Sequence, residues 1–168
     1  MEKTMSKKFI SVLLLIIFSS VFANAGGVTN IKEVVNNTAG VVKLLKRDFT
    51  GNAITTRIEN TPEIAAGATW KGDMWVPWAN NAEEFKNHFM QLYTRVPSSN
   101  GGVMRIKSFY IWQTGESVRF TDKIFFDKSS FSDDAPKISG EAQSGGERRL
   151  VVSMKNNEPV FTFEKLKK

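Results

Sequence analysis

Short stretches in which apolar and polar side chains alternate, closed off by Asn, Gly, Pro or Ser about every eight to twelve residues, run through most of this chain. Alternation with a period of two sends successive side chains to opposite faces of a pleated strand, so the pattern favours sheets with one buried face. The clearest case begins at Val103. Met104, Ile106, Tyr110 and Trp112 take every second position with Ser108 between them, while Arg105 and Lys107 point the other way. Gln113-Thr114-Gly115-Glu116 turns the chain, and Ser117 to Phe126 returns with Val118, Phe120 and Ile124 inward and Arg119 and Thr121 outward, as in an antiparallel hairpin. A second hairpin closes the sequence: Arg149 to Lys155, a turn at Asn156-Asn157-Glu158, then Pro159 to Lys165 with Phe161 and Phe163 on its buried side.

Earlier segments follow the same logic. Ile31 to Val35 and Val41 to Leu45, separated by Asn36-Asn37-Thr38-Ala39-Gly40, read as an opening hairpin, because Asn and Gly tolerate the left-handed conformations of tight turns. Ala53 to Glu59 alternates Ile54, Thr56 and Ile58 against Thr55, Arg57 and Glu59, a half-buried strand. Helix competes only near 82–93. Asn81 followed by Glu84 has capping-box spacing, and Phe85, His88, Phe89 and Leu92 share a helical face, while Phe85, Phe89 and Tyr93 also fit one side of a strand. Lys128 to Gly146, rich in Ser, Asp, Gly and Pro, reads as an exposed loop. Seven or eight strands of this kind imply a mostly β fold: an antiparallel β-sandwich, or a small barrel, with at most one short helix.

The N-terminus carries a separate signal. Lys3, Lys7 and Lys8 precede an apolar run from Phe9 to Phe22, and Ala23-Asn24-Ala25 supplies a small-x-small site, the three-part order of a secretory signal peptide. Fourteen apolar or small residues fall short of the roughly 20 that span a bilayer. The expected organisation is therefore a cleaved leader over 1–25 and one domain over 26–168, secreted or periplasmic, with no transmembrane segment in the mature chain. Of the 168 residues this leaves 143, enough for one core. With no cysteine, that core is held by packing and backbone pairing alone. Without the leader's three lysines and one glutamate the net charge falls from +6 to +4, spread along the chain, and no basic stripe suggests nucleic acid.

Motifs for catalysis are sparse. His88 is the only histidine, so neither a Cys/His nucleophile pair nor a zinc ligand set can be assembled, and no Gly-x-Ser-x-Gly elbow or phosphate-cradling glycine loop appears. Asp127, Asp133 and Asp134 with nearby serines do not follow the order of a calcium-binding loop, and no metal or cofactor is expected. Glu63, Asp73, Glu83, Glu84 and Glu116 leave a carboxylate pair open, but such pairs are defined in space. The positive feature is Trp70 to Asn81, with three indoles interleaved with Gly and Pro. Flat aromatic faces beside Asp and Asn stack on sugar rings or sit at lipid head groups; equally, indoles close the ends of a core. Alternation assigns Trp75 to the core and leaves Trp70 and Trp78 for exposure, while Pro77 confines the segment to an edge or loop. The expected function is non-catalytic binding of a glycan or lipid head group through Trp70, Trp78, Tyr110 and Trp112, with Asp73, Asn80, Asn81 and Arg119 as polar partners. Alternatives are a membrane-active, toxin-like protein, a protein-binding inhibitor or envelope component, and a hydrolase using carboxylates or His88.

Overall fold

The computed structural model describes residues 27–48, 59–97, 104–115, 117–123, 131–132, 134–140 and 145–166. The expected leader, strand residues 53–58, Ile124, Asp127 and Asp133 lie outside them. Among the described residues the elements are β1 (Thr29–Asn37), β2 (Val42–Asp48), β3 (Glu59–Asn60), β4 (Thr69–Trp75), α1 (Ala82–Asn87), β5 (His88–Pro97), β6 (Met104–Thr114), β7 (Ser117–Thr121), β8 (Ser139–Gly140), β9 (Gly146–Lys155) and β10 (Glu158–Lys165). They form two five-stranded sheets, ordered β4-β1-β9-β10-β8 and β3-β2-β5-β6-β7, in a β-sandwich-like arrangement with no closed barrel.

The second sheet is antiparallel throughout, whereas the first has a parallel pair at its centre, β1 with β9, and another at its edge, β8 with β10. Between the layers, Ile31, Val34, Met74, Leu150, Val152, Phe161 and Phe163 from the first sheet meet Val42, Leu44, Met90, Leu92, Phe109, Ile111 and Val118 from the second, all buried. Each such side chain contributes about 1.5–3 kcal/mol on burial. Phe109 and Phe161 meet edge to face across the layers with ring centroids 4.9 Å apart.

The final hairpin forms as read. Asn156 and Asn157 both have positive φ, 52° and 63°, the conformation that lets a two-residue turn match strand twist. At 82–93 both readings have a share: one short helix ends at Asn87 and β5 begins at His88. Three expectations are corrected. β1 and β2 are not a hairpin, because they belong to opposite sheets and send Ile31 and Val42 into the same core from either side. The Asn36 side chain, fully buried, holds this crossover: Nδ2 donates to the carbonyls of Gly40, Ile64 and Ala65 at 2.7, 2.8 and 3.0 Å, and Oδ1 accepts from Thr38 N and Oγ1. Gly40 is needed there because a Cβ would collide with the Arg95 carbonyl. The stretch near 131–140 is not simply an exposed loop, for Ala135 and Ile138 are buried and Ile138 N donates to Val118 O at 2.8 Å. Finally, the Met104–Trp112 alternation is real but faces away from the inter-sheet core, which takes Phe109 and Ile111 instead.

That outward face of the second sheet has two fates. At one end α1 and Phe131 cover it. Phe85, Phe89, Tyr110, Trp112 and Ala135 make a second buried cluster, with Phe85 and Trp112 edge to face at 4.7 Å. At the other end the sheet is open: Ile106 is 67% and Met104 43% exposed.

Candidate functional site

The residues expected to bind fall into three separate places. Trp70 faces inward at the edge of the first sheet, half-buried against the main core, and its ring lies where a Cβ on Gly72 would be. Trp75 reverses the expectation. Met74 takes the inward position on β4, so its neighbour Trp75 points out and is 49% exposed. Asp73, on the same outward face, accepts from Asn30 Nδ2 at 2.9 Å and Lys32 Nζ at 2.5 Å. Those two donors, Lys32 foremost, hold its carboxyl below the ordinary aspartate range.

Trp78, Asn80 and Asn81 build the start of α1. Asn81 is the N-cap, its Oδ1 accepting from Glu84 N at 2.9 Å, while the Glu84 carboxylate accepts from Asn80 N at 2.8 Å and Asn81 Nδ2 at 3.0 Å. Trp78 Nε1 donates to Asn80 Oδ1 at 2.7 Å. These amides are engaged in capping. Tyr110 and Trp112 lie in the second core, Trp112 fully buried, because α1 packs over them. Neither presents a face to solvent as expected. Arg119, beside Trp112 on β7, donates from Nη1 to Ala135 O at 2.6 Å and thereby holds down the covering segment.

Two hollows mark the outer faces. The first-sheet hollow is lined by Lys32, Glu33, Lys71, Gly72, Asp73 and Leu166. Its charges are spent on one another in a row running across four strands: Lys71–Glu33 at 3.3 Å, Glu33–Arg149 at 2.6 Å and Arg149–Glu164 at 3.6 Å, with Lys32–Asp73 alongside. Arg149 chiefly, then Lys71, depresses the Glu33 carboxyl against the opposing effect of burial.

The second-sheet hollow has a different character. It is a groove of about 400 Å³ on the open end of the outward face, lined by Val41, Glu63, Gln91, Tyr93, Arg95, Ile106 and Ser108. β5 contributes Gln91, Tyr93 and Arg95 at alternate positions, and β6 contributes Ile106 opposite Arg95 and Ser108 opposite Tyr93. Gln91 Nε2 donates to Ser108 Oγ at 3.2 Å, which fixes both on the floor. Glu63 stands on the rim because its neighbour Ile64 bridges to Val42 through paired bonds of 2.8 and 3.0 Å, and Asn36 holds the Ile64 carbonyl from beneath. The side chains of Glu63, Tyr93 and Arg95 make no ion pair or hydrogen bond with another described residue.

None of the groove residues was expected as a binding residue, although Glu63 was among the candidate carboxylates, since they come from four separate segments of the chain, at 41, 63, 91–95 and 106–108. The available signal was Ile106 sharing a strand face with Tyr110 and Trp112, with Tyr93 and Arg95 one strand over. No cluster of three metal-ligating side chains occurs among the described residues, and no described helix is long and apolar enough to cross a membrane. Compared with protein-family models, curated proteins and solved structures, the chain matches none.

Proposed function

We propose that this chain is an exported, non-catalytic binding domain that recognises a surface ligand, a glycan or a lipid head group, in the open groove of the second sheet. The observation that carries the reading is the groove itself: about 400 Å³ of space against an aromatic ring and an exposed isoleucine, with an amide, a hydroxyl and two charges that meet no ionic partner among the described residues. Such sites are concave, partly apolar and set with a few polar groups that fix orientation. The lining offers one carboxylate and no histidine, whereas glycoside cleavage uses two carboxylates flanking the bond. Export rests on the three-part pattern of residues 1–25.

Titration calorimetry against a panel of glycans and soluble head groups tests the site. Tyr93→Ala should abolish binding while Trp75→Ala leaves it intact; the reverse would move the site to β4. A second reading, a protein-binding inhibitor or envelope component, draws support from Trp75 itself, which stands exposed on β4, the edge strand of the first sheet among the described residues, and sheet edges suit pairing with a partner's strand.

A further inference from the structure

The two hollows differ in what their charges do. On the first sheet each carboxylate has its cation, as in Lys32–Asp73 at 2.5 Å and Lys71–Glu33 at 3.3 Å. In the second-sheet groove Glu63 and Arg95 line the same space without meeting each other or any other described ionic partner, and both are exposed. An anion and a cation that share a groove unpaired complement a ligand carrying both signs.

Resting on the binding reading above, we propose that the groove holds the head group of a zwitterionic phospholipid, with its phosphate at Arg95 and its ammonium at Glu63 and the Tyr93 ring. A guanidinium presents a planar fork of donors to phosphate oxygens. An ammonium is drawn both to a carboxylate and to the face of an aromatic ring. The choice of a membrane source over a free phosphate ester or a sugar rests on Ile106 and Met104, 67% and 43% exposed on the same outward face of β6. Apolar side chains beside a head-group site belong at the boundary between head groups and acyl chains, where they leave water.

The test uses the whole chain and its Glu63→Gln, Arg95→Gln and Tyr93→Ala variants, with thermal melts confirming that each still folds. Free phosphocholine is titrated first, followed by sedimentation with phosphatidylcholine and phosphatidylglycerol vesicles at about 0.15 M salt, where exposed charges are largely screened beyond 8 Å or so. All variants share the N-terminal apolar run, and the free-phosphocholine titration, which that run does not enter, reads the groove apart from it. The expected result is phosphocholine binding that weakens at least tenfold in both charge variants, and phosphatidylcholine binding that free phosphocholine displaces. Binding that follows only phosphatidylglycerol and is unchanged or strengthened by Glu63→Gln would overturn the proposal, because that is a basic chain on an acidic surface. Binding of free phosphocholine with no binding to phosphatidylcholine vesicles overturns the membrane source. A neutral glycan that binds through Tyr93 regardless of either charge sinks the head-group inference and leaves the groove reading standing; indifference of every ligand to Tyr93→Ala sinks both.

Discussion

Strands β5 and β6 carry their outward face past two quite different neighbours. Near its junction with α1 this face sets Phe89, Tyr110 and Trp112 under the helix, and ten to fifteen ångströms of strand further on, roughly four residues at 3.3 Å each, it shows Tyr93 and Ile106 to solvent. The alternation in the sequence is the same in both halves. What separates them is whether a later or earlier segment lies across the sheet, and that segment's own anchors decide it: the Asn81 cap at the head of α1 and the Arg119 bond to the Ala135 carbonyl. An apolar strand face therefore specifies a need for a partner, and the rest of the chain specifies whether the partner is internal.

The contrast can be broken by substitution. The largest effect should come from Phe85→Ala, which empties the centre of the covered half and costs about 3–5 kcal/mol of unfolding free energy in urea titrations. A loss below 1 kcal/mol would mean that the covering helix is loosely held. Asn36→Ala should cost about 2–3 kcal/mol, since it takes the Oδ1 acceptor from the buried Thr38 N and one donor each from the carbonyls of Gly40, Ile64 and Ala65, and it should also blur the groove by freeing the Glu63 rim. Asn81→Ala removes the cap of α1 and should cost about 1 kcal/mol, read from the same titrations, with hydrogen exchange rising first over 82–87.

Acid should act more gently, and on neither half of that face. The Glu33 and Asp73 carboxyls titrate below their ordinary range in the folded state, so they add stability above the unfolded carboxylate range and lose it as the pH falls through their depressed folded values. Melting temperature measured from pH 7 down to about 3 should therefore decline below about pH 4, and Glu33→Gln should flatten that decline. The smallest effect on stability belongs to Ile106→Ala, within about 0.5 kcal/mol because the side chain is already mostly in water, while the proposed binding in the groove should weaken.

The parts of the fold written locally were legible. Asn156-Asn157 between alternating strands specifies a tight turn, and Asn81 with Glu84 specifies a helix start, because in each case the partners are within a few residues. The β1–β2 crossover was not, since the turn residues Asn36 to Gly40 suit a hairpin or a change of sheet equally. The deciding bonds run from Asn36 to Ile64 and Ala65, nearly thirty residues on. Strand parity misled at Trp75 for a related reason: in an edge strand with Trp70, Met74 and Trp75 all apolar, the inward register is set by pairing with β1, where Met74 sits opposite Ile31. The groove was illegible because Glu63, Arg95 and Ile106 meet only after three strands have been placed side by side.

The parallel pairing of β1 with β9 carries a consequence for the order of assembly. Thr29 lies opposite Gly146 and Asn37 opposite Ser153, so the middle of the first sheet joins the two ends of the domain. The five strands of the second sheet, by contrast, all lie within residues 42–121 and pair with antiparallel neighbours. Closing a chain loop of that length is slow compared with forming a hairpin. A growing chain would thus have the strands that floor the groove before its other layer received β9 and β10, and a truncation short of β9 would leave β1 paired only with β4, its second edge open to another molecule.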